Sequence, residues 1–252
     1  MRGSDFVVDF LIKHQVTDVY GIPGGVVLDF LYALNHRSSE IKPHLNFHEH
    51  NSISSASGFA WSSNNLGVAY ATRGPGITNM VTGVADAYCD SIPILIITGH
   101  SATVPENGMR VTYDQEINVV EIFSSITKYA ERIDKIEDIK YKLEMAYFEA
   151  MDGRKGPVLL DIHSDVLSAQ INPEILPSLS IEKGKKVFKV DAVKKITQAI
   201  SDSKRPVFLL GDGFRGTKST YQIKEIAEQN NIPILSSRFS QDLFQSSANF
   251  FG

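Results

Sequence analysis

The sequence predicts an α/β protein: a doubly wound, mainly parallel sheet with helices on both faces, followed by an incomplete second α/β unit. Three observations lead there. Short apolar runs alternate with segments of helical periodicity along residues 1–162, the pattern of strands joined by crossover helices. Two runs, Ile94-Leu95-Ile96-Ile97 and Val158-Leu159-Leu160, are apolar at every position, as strands buried on both faces require. Glycine-rich turns follow the strands, which is where such sheets place their ligands.

The elements follow in order. Ser4 is a candidate cap for a helix whose face carries Phe6, Val7, Phe10 and Leu11. A strand at 18–22 runs into Pro23-Gly24-Gly25, and 26–36 has the spacing of a helix. A strand at 44–47 precedes a helix at 51–63, rich in Ser, Ala and Gly. Strand 67–72, helix 77–88 and strand 93–98 come next. Helix 116–125, strand 128–133, helix 137–151 and strand 157–162 complete the first series. Prolines and a Lys/Glu cluster in 169–189 break the periodicity and indicate a linker. This sets domains at 1–170 and 189–252, with 171–188 between them. The second unit offers helix 190–201, strand 206–210, helix 219–230 and strand 232–235. Two strands cannot bury both faces of a sheet by themselves.

Composition narrows the class. The chain has 252 residues, 42% hydrophobic and 21% charged, which suits a soluble globular protein. Its net charge of −4 argues against a nucleic-acid partner bound through bulk positive charge. Cys89 is the single cysteine, so neither an internal disulfide nor a cysteine-based zinc site can form. No apolar run reaches the roughly 18–20 residues that span a bilayer, and the N-terminus shows no signal-peptide pattern. The expectation is a cytoplasmic protein without a membrane partner.

Three turns carry the candidate chemistry. Gly21-Ile22-Pro23-Gly24-Gly25 follows a strand and allows close backbone approach to a ligand, or serves as a plain turn. His48-Glu49-His50-Asn51 places Glu49 at a helix N-terminus, where the dipole favours a carboxylate. The alternative is capping by Asn51 with Glu49 as its charge complement. The two histidines lack the HExxH spacing of a metal helix. Thr72-Arg73-Gly74-Pro75-Gly76-Ile77-Thr78-Asn79 is again strand, turn and helix start, with free N–H groups able to meet polar ligand atoms. It lacks the Gly-Lys-Ser/Thr of a P-loop.

Together these segments resemble the N-terminal, pyrimidine-binding domain of thiamine-diphosphate-dependent enzymes, nearest the acetolactate synthase group. Residues 20–25, 48–50 and 72–79 carry the resemblance, with Val81 to Tyr88, Asp90 to Pro93, Asp114-Gln115-Glu116 and Gly156 to Asp161. The second unit resembles the start of that family's central domain. The resemblance implies a thiamine-diphosphate-dependent 2-oxo-acid decarboxylase or carboligase, with Glu49 as the catalytic carboxylate hydrogen-bonded to the cofactor's aminopyrimidine. It implies Pro23 and Gly24 over the reaction centre, and Thr72, Pro75, Gly76 and Asn79 along the cofactor. Gln115 would face the 2-oxo-acid substrate. Mg2+ is expected only in a diphosphate domain absent from this chain, so no metal ligand is assigned here, and the chain alone is expected to be inactive. Whether FAD binds stays open. A homodimer or higher homo-oligomer is implied, and the small residues of 51–63 permit close helix approach.

The sequence departs from the family pattern at four places. His50 replaces the usual glutamine after the catalytic Glu, Arg73 a serine before Gly-Pro-Gly, His100 a glutamine after Gly99, and Asp114 a phenylalanine before Gln-Glu. These bear on the substrate more than on the cofactor. Two other readings stay open: a non-catalytic interaction or regulatory module of the same fold, and a nucleotide-binding oxidoreductase domain. The latter rests on Gly211-Asp212-Gly213-Phe214-Arg215-Gly216. That segment fits G-x-G-x-x-G, but Ser236-Ser237-Arg238 stands where an acidic residue belongs. Its Gly-Asp-Gly also resembles the family's magnesium motif, at too short a spacing from Asn230-Asn231.

Overall fold

A computed structural model describes residues 1–101, 115–180 and 190–252. The chain divides into two compact units, Met1–Ser180 and Ile181–Gly252.

The first unit is built on β1 (Asp18–Gly21), β2 (Lys42–Leu45), β3 (Gly67–Tyr70), β4 (Ile94–His100), β5 (Tyr129–Ile133) and β6 (Val158–His163). They form one sheet in the order β2-β1-β3-β4-β6-β5, and every neighbouring pair is parallel. The central strands β3 and β4 are buried throughout, whereas β2 at one edge is exposed throughout. Alternate side chains enter opposite layers, as the pleat dictates. Leu95, Ile97, Val158 and Leu160 join a core with α1 (Gly3–Lys13), α2 (Leu28–His36) and α7 (Ile139–Met151). Ile94, Ile96, Ala69 and Leu159 join the other core, under α3 (Glu49–Ser63), α5 (Val81–Cys89) and α6 (Val119–Phe123). This is the doubly wound α/β architecture that the sequence predicts.

Local differences have physical causes. Arg2, not Ser4, precedes α1; its N–H donates to Asp5 Oδ2 at 3.1 Å, and Ser4 is buried inside the helix. The helix expected at 77–88 is two helices, α4 (Pro75–Thr78) and α5. At the break the Asn79 N–H is shared between the carbonyls of Pro75 and Gly76, both at 3.3 Å. α3 starts before Asn51: His48 caps it, with Nδ1 accepting from the His50 N–H at 3.2 Å. A short helix not expected from the sequence, α8 (Ser164–Ser168), follows β6. The stretch after it is tied to the first unit. The Ile171 N–H donates to the Met1 carbonyl at 2.9 Å, and Glu144 accepts from the Ser178 hydroxyl and the Leu179 N–H. The remainder of the expected linker, 181–189, lies outside the described residues.

The second unit holds α9 (Val190–Asp202), β7 (Phe208–Leu210), α10 (Ser219–Gln229), β8 (Ile234–Ser236) and α11 (Gln241–Phe244). β7 and β8 pair in parallel. Their buried core is small: Leu210, Ala227, Ile232, Ile234 and Phe244. No described helix is long and apolar enough to cross a membrane.

Candidate functional site

Three turns leave the carboxyl ends of β1, β2 and β3 and converge. After β1, Gly24 meets Thr72: a Cβ on Gly24 would run into the Thr72 side chain. The backbone there is extended, at φ −166°, so glycine is needed for space and not for conformation. After β2, the Asn46 N–H donates to the Gly21 carbonyl at 3.1 Å. Its side chain accepts from the Ser52 hydroxyl and donates to Ser55 Oγ, both at 3.3 Å. These bonds fasten the entry to α3, whose first residue is Glu49. After β3, Gly74 adopts φ +63°, which favours glycine, and Pro75 opens α4.

The carboxylate of Glu49 sits between these turns. Asn79 Nδ2 donates to its Oε2 at 2.9 Å. A Cβ on Gly76 would lie 3.4 Å from Glu49 Oε1 and 2.8 Å from Thr72 Cγ2. Gly24, Thr72, Gly76, Asn79 and Glu49 are therefore brought together, with the two glycines fitted closely against the Thr72 side chain. Pro23 and Pro75 are exposed beside them on the same turns. Gln115 lies on another side of the glycine turn: its carbonyl faces the Cα of Gly74. Asp114 lies outside the described residues. Glu49 is also the first residue of α3, beside that helix's free N–H groups. A half-buried carboxylate with a fixed amide donor, flanked by a glycine that adds no side chain, suits a flat heteroaromatic ring with a basic nitrogen. Among the described residues no group of three or more His, Cys, Asp or Glu is placed to hold a metal ion.

A second polar cluster lies beside the glycine turn, and sequence reasoning did not find it. His100 ends β4 and is 1% exposed. Its Nε2 is 2.8 Å from Asp134 Oδ1, and its Nδ1 is 3.1 Å from Asp161 Oδ1, off the hydrogen-bond axis. Arg132 Nε donates to Asp161 Oδ2 at 3.1 Å, and Arg132 Nη2 lies 3.9 Å from Glu116 Oε2. Glu116 Oε1 accepts from the Ser101 N–H at 3.0 Å and from Arg73 at 3.4 Å. Arg73 also donates to Ser101 Oγ. Burial opposes a charge on His100, but Asp161 and Asp134 outweigh it and raise its pKa above 6.5. The available signal was an aspartate inside an apolar strand, Leu160-Asp161-Ile162, where only a paired charge is tolerated.

In the second unit the Gly211–Gly216 turn is closed by its own arginine. Arg215 Nε donates to Asp212 at 2.8 Å, its Nη1 and Nη2 reach Asp242 at 2.9 Å, and Nη2 donates to the Phe239 carbonyl at 2.7 Å. A Cβ on Gly213 would meet nothing within 4 Å.

A parallel sheet with glycine turns and a carboxylate at the carboxyl ends of β1–β3 defines a small-ligand-binding α/β domain. The comparisons with known proteins state which. Residues 1–122 match the thiamine pyrophosphate enzyme family, in its N-terminal TPP binding domain. Over 240 residues, 93% of this chain, it is 36% identical to acetolactate synthase 2, chloroplastic, of Nicotiana tabacum, covering 35% of that protein. It is 35% identical over 239 residues to the chloroplastic acetolactate synthase of Arabidopsis thaliana, again covering 35%. With a probable acetolactate synthase large subunit of Methanocaldococcus jannaschii it shares 34% over 249 residues, 97% of this chain and 41% of that protein. The chain thus belongs, through its first domain, to the thiamine-diphosphate-dependent enzymes and is acetolactate-synthase-like. It spans between about a third and two fifths of the length of the curated relatives it matches.

Proposed function

We propose that this chain is the N-terminal part of a thiamine-diphosphate-dependent 2-oxo-acid decarboxylase or carboligase, with Glu49 as the group that activates the cofactor. One observation supports this best: the Glu49 carboxylate stands where the turns after β1, β2 and β3 converge, with Gly76 beside its Oε1 and Asn79 on its Oε2. Bound thiamine diphosphate supplies an electron sink for the carbanion left when a 2-oxo acid loses CO2. The protein's part is to bind, orient and move protons. Glu49 exchanges a proton with the basic ring nitrogen of the aminopyrimidine through the oxygen that Asn79 leaves free. Thr72, Pro75 and Gly76 line the ring, Pro23 and Gly24 cover the reacting side, and Gln115 meets the substrate. Residues 1–170 form the pyrimidine-binding domain and 189–252 the start of a central domain. We assign Mg2+ and the cofactor's diphosphate to a diphosphate domain of the whole protein.

A homodimer goes with this reading. α3 and α5 approach closely because Gly83 has no side chain to collide with Ile53. The groove between them is lined by Ser54, Ser57, Gly58, Trp61 and Asp86, and we assign the contact with a second copy to this face.

The test is Glu49→Gln in the intact gene product. The substitution keeps size and the Asn79 contact and removes the exchangeable carboxyl proton. Loss of proton exchange at the cofactor's thiazolium C2, with folding and cofactor binding retained, is the expected outcome. Wild-type exchange in the variant overturns the assignment.

A further inference from the structure

Two of the positions that depart from the family pattern, Arg73 and His100, are 27 residues apart in sequence but are joined by one chain of contacts. The chain runs Asp134, His100, Asp161, Arg132, Glu116, Arg73. A neutral imidazole has one N–H. Both ring nitrogens of His100 face carboxylates, so a neutral ring would turn a lone pair toward one of them. Among the described residues of this chain, three carboxylates face two guanidinium groups, and an imidazolium supplies the missing positive charge. His163, on β6, meets the His100 ring edge-on at 4.9 Å and leans toward Asp165. Toward the second-strand side, Gly99 packs on the Val26 backbone, which brings no charge.

The other end of the chain holds the glycine turn. Glu116 grips both Arg73 and the Ser101 N–H, and the neighbouring Gln115 carbonyl closes on Gly74. The turn is therefore held from one side by this chain and meets Glu49 on the other through Gly76 and Asn79.

We propose that His100 and Arg73 are positioning residues of the cofactor site: His100, an imidazolium between Asp134 and Asp161, completes a charge-paired chain through Arg132 and Glu116 to Arg73 that fixes the Gly74-Pro75-Gly76 turn. Neither residue touches the reacting atoms. The inference rests on the proposed cofactor reading for its functional consequence, but not for the coupling itself. Deprotonation of His100 leaves the chain one positive charge short, and the turn loosens.

The experiment has two arms, both on the intact protein. In the first, hydrogen exchange of the peptide covering 72–80 is measured without cofactor at several pH values, for wild type, His100→Gln, Arg73→Lys and the double variant. The expected result is faster exchange in each single variant. The double variant is expected to be no faster than the more affected single, because both cut one chain. The wild-type-to-His100→Gln difference should vanish at high pH, where His100 of the wild type has lost its proton and neither protein carries the charge. Additive effects, or a difference that persists unchanged at high pH, overturn the proposal. Arg73→Lys keeps the charge but loses the planar fork, so it reports on the turn even where His100→Gln fails to fold. In the second arm, thiamine diphosphate affinity of wild type is followed over the same pH values. It should weaken by about tenfold as His100 loses its proton, the equivalent of one pKa unit of coupling, and the Arg73→Lys profile should be flatter. If wild type binds no thiamine diphosphate, the cofactor reading fails, and the exchange arm alone decides the coupling. A flat wild-type affinity profile overturns the positioning role.

Discussion

Asn79 Nδ2 donates to Glu49 Oε2 across 2.9 Å, joining the residue after α4 to the first residue of α3. The bond fixes one carboxylate oxygen and leaves the other toward Gly76. Asn79→Ala should leave the fold intact, because Asn79 is exposed. A hydrogen bond to a charged group contributes about 1.5–3 kcal/mol, and partial exposure of this pair places the effect at the lower end. Proton exchange at the cofactor should slow by about tenfold. An exchange rate equal to wild type would show that Glu49 needs no fixing.

Much of this site was legible because strand ends are legible. The apolar runs of β3, β4 and β6 locate the sheet, and glycine turns directly after β1 and β3 locate the ligand side. The glycine turns locate Gly24, Thr72, Gly76 and Asn79, and the helix start after β2 locates Glu49, but their roles came from the family resemblance and not from these local signals. Other features depend on tertiary contacts with no local pattern. His48 caps α3 through its own ring, a role that Asn51 matches better by propensity. The chain from Asp134 to Arg73 joins residues on β4, β5 and β6, the turn after β3, the residue after β5 and the segment before α6. Only the fold brings those charges together, although Asp161 inside an apolar strand hinted that a partner must exist.

Gly76→Ala tests the close packing of Gly76 on Thr72 by steric means. Its Cβ would come within 2.8 Å of Thr72 Cγ2, closer than carbon atoms pack. Overpacking of this kind costs about 1–3 kcal/mol and should lower both thermal stability and cofactor affinity. Thr72→Ser removes the offending methyl, so Gly76→Ala/Thr72→Ser should recover most of the stability by calorimetry. Additive losses in the double variant would place the clash elsewhere.

The raised pKa of His100 sets the sign of a pH effect on stability. The folded state holds this proton more tightly than the unfolded chain, whose histidine titrates near 6.5. The stabilisation is full below that value and is lost as pH rises through the folded-state pKa. Chemical denaturation of wild type and His100→Gln should therefore differ most at mildly acidic pH and converge at alkaline pH. A gap that widens with rising pH would mean that His100 is neutral in the folded protein.

The second unit should be the weaker of the two. Among the described residues its core holds five buried apolar residues, whereas the first unit has two extensive buried clusters. On α9, Val190, Val193 and Ile196 are more than half exposed, and on β7 Leu209 is 76% exposed. At about 25 cal/mol per Å2 of apolar surface, side chains left in water contribute little to holding the helix or the sheet. A two-strand sheet with such a core is marginal. In this 252-residue chain, amides of β7 and β8 should exchange with solvent well before those of β4 and β6. A hydrophobic dye should bind the native protein and lose that binding when Val193 and Ile196 are both changed to Ser. Equal protection of the two sheets would show that the second unit draws its stability from contacts other than its own core.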